Sequence, residues 1–181
     1  MVIIMQLQDC IETRRSIRKY KPQSVDRQVV KQIVECAVLA PSWKNSQVTR
    51  FYAADGEKKE QLAKCLPPYN QNNVKDAPIL IAATVVKGKS GFEADGSYSS
   101  HLKDGFQYFD CALQVENLCL KAHELGLGTL IMGLYDEKKV RNFLQLGNAE
   151  EIVCIISLGY PDIEPKMPKR NNVDDVLKFM E

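Results

Sequence analysis

The stretch of residues 103–125 constrains the fold most, because its apolar side chains surround a predicted helix instead of lining one side of it. Eight apolar residues recur through it: Phe106, Phe109, Leu113, Val115, Leu118, Leu120, Ala122 and Leu125. A helix that is apolar nearly all round must be buried on several sides. It is therefore either the central helix of a domain or a helix packed across a dimer interface. Gly126 is placed to end it in a left-handed cap.

The other predicted elements alternate helix and strand unevenly. Helices are predicted around Leu7 and Ile11 and at residues 26–38, 57–65, 137–144 and 173–180, and strands at residues 49–54, 79–86, 128–132 and 152–158. Residues 79–86 are apolar apart from Thr84, which is typical of a central strand buried on both faces. Residues 87–100, rich in Gly and Ser, predict a mobile loop. The chain shows no repeat or linker, so it predicts one domain over residues 1–181, a three-layer α+β or α/β sandwich of four or five strands.

Charge and composition exclude several classes of protein. Of 181 residues, 24 are Lys or Arg and 23 are Asp or Glu, so no overall field favours nucleic acid as a partner. The apolar start, residues 1–5, is too short for a signal peptide or a membrane span, and the longest apolar runs elsewhere have strand length. A cytoplasmic protein without a membrane partner is therefore expected. The six cysteines form no C-x-x-C pair and only two histidines are present, so no metal site is predicted.

The common nucleotide and hydrolase motifs are missing. No G-x-G-x-x-G follows a strand, and Gly126-Leu127-Gly128 begins a strand instead of a helix, so a Rossmann dinucleotide site is not supported. The chain also has no P-loop and no G-x-S-x-G motif. His123 falls on the long apolar helix, where a core histidine is the simpler interpretation.

The first of four polar segments is the run Arg14-Arg15-Ser16-Ile17-Arg18-Lys19-Tyr20. If the helix around Leu7 continues into this run, Arg14 and Arg18 lie one turn apart on the same face, close to Ser16. Guanidinium groups present fixed donors that suit phosphate oxygens, so the pair predicts a site for a small anion. The alternative is a solvated basic helix end.

Three further segments carry more polar chemistry than a connection requires. Residues 41–47 connect a helix to a strand and carry hydroxyl, amide and amine groups together, which favours a binding role. The alternative is an ordinary connecting loop. Residues 70–73 carry four side-chain amides, three of them from asparagine, in a predicted polar loop, and amides suit the edge of a heteroaromatic ring unless they serve only the turn. Lys169-Arg170 forms a second basic pair, which is otherwise a solvated tail.

Taken in order, these segments resemble the nitroreductase family of FMN-dependent oxidoreductases over nearly the whole chain. The resemblance is carried by RRSIRKY, APSWKNSQ, YNQNNVKDAP, the long DCALQVENLCLKAHELGLGT, SLGYPD and the basic tail PKRNNVDDV. It implies an α/β/α sandwich with a mixed, mainly antiparallel sheet of four to five strands. It also implies that the long central helix lies at a homodimer interface.

The resemblance also implies the residues of a cofactor site. Arg14, Ser16 and Arg18 would hold the FMN phosphate and ribityl group, with Arg170 and Lys169 closing the phosphate from the tail. Arg15 is counted with this run, although on a helix it and Lys19 would point elsewhere, towards solvent. The pyrimidine edge would face Asn70 and Asn73, and the flavin face and N5 would contact the backbone of Leu130, Ile131, Met132 and Gly133. Six further residues would contact the flavin from the partner subunit: Pro41, Ser42, Trp43, Asn45, Ser46 and Gln47.

The activity implied is that of a reductase without a catalytic side chain. FMN would accept a hydride from NADH or NADPH at N5 and pass electrons to a nitroaromatic, a quinone or a similar electron-poor acceptor in a ping-pong cycle. The alternatives are a specialised member of the family, acting in dehalogenation or flavin breakdown, and a flavin- or small-anion-binding protein without turnover. Trp43-Lys44 and Met132 depart from the family pattern, since the first pair replaces small or polar residues and Met132 stands where some members carry Glu.

Overall fold

The computed structural model describes residues 5–180, so the first four residues of the apolar start lie outside it. Its helices are α1 (Leu7–Thr13), α2 (Arg27–Ala37), α3 (Gly56–Ala63), α4 (Pro68–Val74), α5 (Gly105–Glu124), α6 (Glu137–Leu144) and α7 (Val173–Val176). Its strands are β1 (Thr49–Asp55), β2 (Ile79–Val86), β3 (Gly128–Met132) and β4 (Glu150–Gly159). None of the helices within residues 5–180 has the length and apolar character needed to cross a membrane.

The four strands form one antiparallel sheet in the order β1-β2-β4-β3. The apolar strand β2 therefore lies between two neighbours, as predicted for a strand without a polar face. Its side chains alternate, so that Ile79, Ile81, Ala83 and Val85 enter one core cluster and Leu80 and Ala82 enter another. At the other side of the sheet, β3 is an edge strand.

Helices cover both faces of the sheet, which confirms the predicted three-layer α+β sandwich. On one face, α2 and α5 pack on the sheet through a core that includes Ile33, Ala37 and Leu118. On the other, α3, α4 and α6 contribute Leu62, Val74 and Val140.

The long helix α5 is central, as predicted, but it is not apolar on every side. Cys111, Val115, Leu118, Cys119 and Ala122 are buried in the core, while Phe109 is 57% exposed. A third face buries Gln107, Asp110 and Gln114, three polar residues that the apolar pattern concealed.

Two local predictions differ from the structure, and a third is not tested by it. The polar loop predicted at residues 70–73 belongs to α4, because Pro68 takes the first turn of a helix and Val74 is fully buried. The last helix ends at Val176 and not at residue 180. Residues 87–100 contain a bridge between Phe92 and Tyr98, whose rings pack with centroids 4.8 Å apart, and their predicted mobility stays a prediction.

Candidate functional site

The basic run lies along the free edge of β3. Helix α1 ends at Thr13, and Arg14 has extended backbone (φ −57°, ψ 132°). Ser16 then forms a parallel bridge with Thr129, and the Ile17 N–H donates to the Thr129 carbonyl at 2.8 Å. The helical arrangement expected for Arg14 and Arg18 is therefore wrong, because pairing with β3 outweighs continuation of a seven-residue helix. Arg14, Ser16 and Arg18 remain on one short segment, which this pairing holds beside β3.

Ile17 and Tyr20 hold this run against the sheet. Ile17 is buried against Gly128, where a Cβ atom would lie 2.9 Å from the Ile17 Cβ. The Tyr20 hydroxyl donates to the Ile17 carbonyl at 2.8 Å and shares a 2.7 Å hydrogen bond with Ser157 Oγ. Burial raises the pKa of Tyr20 well above its usual range, so the phenol stays protonated. The backbone that carries the arginines is thus fixed by buried contacts.

The three guanidinium groups have different surroundings. Arg15 donates to the carbonyls of Glu12 and Arg14, both at 2.7 Å, and so completes the C-terminal end of α1. Arg14 Nε lies 3.7 Å from Glu116 Oε1, a long ion pair with a half-exposed carboxylate. Arg18 is exposed, and within residues 5–180 no carboxylate lies within ion-pair distance of it. Arg18 therefore presents the donors that are most available to an anion.

His123 lies beside the same run without adding charge to it. Its Nε2 is 2.7 Å from Thr13 Oγ1. Burial, then the charges of Arg14 and Arg15, lower the pKa of His123, so its ring is neutral at pH 7. His123 is half-buried and bonds at the surface, so it is not the core histidine that the sequence favoured.

The end of β3 offers open backbone next to the basic run. The Thr129 carbonyl faces Ile17 at the free edge of β3. Peptide groups two residues apart in a strand point to the same side, so the N–H and C=O groups of Ile131 also face this edge. Ile131 is 48% exposed, whereas the side chains of Leu130 and Met132 enter the core. A Cβ atom at Gly133 would meet nothing within 4 Å. Because the Met132 side chain is buried, only the backbone of Met132 can contact a ligand.

Helix α4 carries two buried amides and brings one of them, Asn70, to this strand end. Asn70 and Asn73 lie one turn apart, and Asn70 Nδ2 donates to the carbonyl of Leu134 at 3.4 Å, directly after Gly133. Asn73 Nδ2 is buried and finds no acceptor among the described residues. An unpaired buried donor is costly, which is typical of a group that serves a ligand.

The segment from Pro41 to Gln47 has a strained backbone. Trp43, Lys44 and Asn45 form a single 3-10 turn, and Lys44, Asn45 and Gln47 have φ of +46°, +55° and +47°. None of these residues is glycine, so three left-handed conformations within four residues are held by their surroundings. The Gln47 N–H donates to Ser42 Oγ at 3.1 Å, and its side-chain amide donates to Asn45 Oδ1 at 3.2 Å.

The tail starts beside the basic run and then becomes exposed. Tyr20 and Pro161 form an antiparallel bridge, and Lys19 Nζ pairs with Asp162 at 3.2 Å. Lys169 and Arg170 are exposed and make no ion pair with any residue of the described range. The structure therefore brings the start of the tail to the arginines and leaves this second basic pair free.

Sequence reasoning missed the acidic partners on α5. Glu116 pairs with Arg14, and Asp110 accepts hydrogen bonds from the Trp43 turn. The available signal for Asp110 was its charge within a largely apolar helix, one helical turn from buried positions. The histidines, cysteines and carboxylates of residues 5–180 form no group of three or more that could hold a metal ion.

This architecture and site define an α/β/α sandwich with a basic run at the free edge of its sheet. The profile of the nitroreductase family matches residues 11–66 and 64–160. A protein of Methanothermobacter thermautotrophicus, described as a candidate NADH dehydrogenase/NAD(P)H nitroreductase, is 32% identical over 165 residues, covering 89% of this chain and 80% of its own. The chain belongs to the nitroreductase family, and it is an oxidoreductase of that family.

Two solved structures share the fold. A nitroreductase family protein of Streptococcus pneumoniae superposes with a TM-score of 0.85 at 23% identity, over 97% of this chain and 100% of its own. A structure described as an oxidoreductase containing FMN has a TM-score of 0.80 at 21% identity, over 93% of this chain and 89% of its own. At these identities the two structures support the fold.

Proposed function

We propose that this protein is an FMN-dependent reductase that takes electrons from NADH or NADPH and delivers them to an electron-poor aromatic or quinone acceptor. The observation that carries the proposal is the position of the arginine run, held by Ile17 at the free edge of β3 and followed along that strand by open backbone at Ile131 and Gly133. The family membership and the FMN of the structural neighbour support the same cofactor.

The donor set fits FMN. A phosphate needs charge-assisted donors, which Arg18 and Arg14 offer, and Ser16 lies between them on the same segment. An isoalloxazine edge needs amide donors and acceptors, which Asn70 and the unpaired Asn73 offer from α4. In this proposal Lys169 and Arg170 approach the phosphate from the tail, where they are free to do so.

Side chains of this chain would position the cofactor and supply no nucleophile. When bound, FMN accepts two electrons from a nicotinamide and passes them to an acceptor. The peptide groups at Ile131 and Gly133 would face the ring from the strand edge, and preorganised N–H donors there favour negative charge on a reduced ring. Because position 132 is Met and residues 130–133 include no Asp or Glu, no carboxylate of this segment takes part.

The proposed assembly is a homodimer. Leu7 and Ile11 on α1, Leu39 after α2 and Phe109 on α5 are all more than half exposed, and Leu39 reaches 80%. Exposed apolar residues on packed helices are typical of a protein interface. In the dimer residues 41–47 would reach the flavin of the partner subunit, so each site would need both copies.

Anaerobic reduction tests the proposed activity. The FMN-loaded protein is mixed without oxygen with NADH or NADPH, and we expect the absorbance of oxidised flavin to bleach with at least one of them. Addition of a nitroaromatic or quinone should then restore it, as a ping-pong cycle requires. FMN that stays oxidised with both nicotinamides would contradict the reductase and leave a flavin-binding protein without turnover.

A further inference from the structure

Asp110 is a buried carboxylate that serves two segments far from it in sequence. It is 1% exposed and lies in the first half of α5. The Trp43 N–H donates to both of its oxygens, at 3.0 and 3.1 Å, and Ser46 Oγ donates at 3.1 Å. Ser90 Oγ, from the turn at residues 87–100, donates at 2.6 Å. One side chain thus holds the turn at Trp43 and the turn at Ser90 together.

No cation accounts for this carboxylate. Across residues 5–180, no lysine, arginine or histidine lies within ion-pair distance of Asp110. A buried charge without a counter-ion is unfavourable unless hydrogen bonds satisfy its oxygens. Here the three donors, Trp43, Ser46 and Ser90, all belong to loops. The loops therefore supply the hydrogen bonds that satisfy the buried carboxylate.

The conformation that Asp110 holds is one the loop does not favour by itself. Lys44, Asn45 and Gln47 are left-handed, and a free chain of these residues would leave that region. Two further contacts help: Trp43 packs on Phe106 with ring centroids 4.2 Å apart, and Lys44 Nζ pairs with Glu93 at 2.9 Å. Phe106, like Asp110, belongs to α5, so the same helix holds the turn twice.

We propose that Asp110 is a positioning residue for the cofactor site. It keeps residues 41–47 in the left-handed conformation that presents Ser42, Asn45 and Gln47 to the flavin, and through Ser90 it couples this loop to residues 87–100. The inference rests on the proposed FMN function. Because the loop is ordered before the ligand arrives, binding loses less conformational freedom, and affinity depends on Asp110 although it does not touch the flavin.

Trp43 provides a direct probe, because it is the only tryptophan of the chain. In Asp110→Ala apoprotein, we expect the Trp43 emission to shift to longer wavelength and iodide to quench it more strongly. We also expect FMN affinity, measured by titration of the apoprotein, to fall about tenfold or more, the effect of losing a charged hydrogen bond. Asp104→Ala, on an exposed position at the start of the same helix, is the matched control and should change neither readout.

Asp110→Asn distinguishes positioning from general damage. Its carbonyl can accept from the Trp43 N–H and its amide can donate to the two serine oxygens, so we expect wild-type Trp43 emission and FMN affinity within about threefold. Should Asp110→Ala not fold, Ser90→Ala removes one donor to the carboxylate at a residue outside the proposed flavin contacts and leaves the bonds from Trp43 and Ser46 in place. It should then raise iodide quenching of Trp43 and weaken FMN binding.

Two outcomes separate this inference from the proposed function. Asp110→Ala with wild-type Trp43 emission and wild-type FMN affinity would overturn the positioning role while the wild-type protein still binds FMN. Wild-type protein that binds no FMN would instead overturn the proposed function, and with it any flavin role for this loop. Altered Trp43 emission together with weaker FMN binding in Asp110→Ala, restored by Asp110→Asn, supports the inference.

Discussion

Replacing Arg14 and Arg18 together by alanine is expected to remove tight FMN binding while leaving the fold intact. Loss of one hydrogen bond to a charged group costs about 1.5–3 kcal/mol, so Arg18→Ala alone should weaken FMN binding by about 10- to 150-fold. Arg14 should contribute less, because Glu116 already lies 3.7 Å from its Nε. The double variant should therefore lose more affinity than Arg18→Ala alone, and at least about 10-fold.

A second double variant, which removes two lysines elsewhere in the chain, controls for the change in net charge. Lys31 on α2 and Lys138 on α6 are exposed, and neither makes an ion pair within the range that the structure covers. Lys31→Ala/Lys138→Ala changes the net charge by the same amount and should retain wild-type affinity. FMN titration of both apoproteins measures the difference. Equal affinities in the two double variants would contradict the phosphate assignment.

Gly128→Ala is expected to damage the same site through the backbone. A methyl group at this position would lie 2.9 Å from the Ile17 Cβ and closer to its Cγ1, so Ile17 must move away from β3. Overpacking of this kind costs about 1–3 kcal/mol of folding free energy. Because Ile17 lies between Ser16 and Arg18, we expect FMN affinity to fall as well, unlike in an ordinary core variant.

Denaturant unfolding of the apoprotein and FMN titration measure the two effects of Gly128→Ala. Gly147→Ala is the control, because a Cβ atom there meets nothing within 4 Å. The clash is assigned by a double-mutant cycle with Ile17→Ala, since the shorter side chain makes room for the new methyl. We expect the double variant to be less destabilised than the sum of the two single variants. Strict additivity would show that Ile17 is not the group displaced.

The sequence predicted the parts of the fold that local patterns determine. The run at residues 79–86, apolar apart from Thr84, indicated a central strand, and β2 is paired on both sides. The apolar residues of 103–125 indicated a central helix, because burial on several sides leaves few alternatives. The prediction that this helix lies at a dimer interface stays a prediction, supported by the exposed Phe109.

What the sequence could not predict depends on contacts between distant residues. The basic run leaves the helix because Ile17 pairs with Thr129, more than a hundred positions away, and no local pattern encodes that pairing. Asp110 is buried because donors at Trp43, Ser46 and Ser90 satisfy it, so its charge alone indicated a surface position. The left-handed residues of the loop contain no glycine that would have revealed them. For α4, in contrast, Pro68 was an available helix-start signal.

The most direct test of the account is FMN reconstitution of the apoprotein. Apoprotein is titrated with FMN and followed by the absorbance of bound oxidised flavin and by quenching of the single Trp43. We predict saturable binding with one FMN for each chain, and a yellow protein after removal of free FMN. A colourless protein that shows no saturable change with FMN would contradict the account.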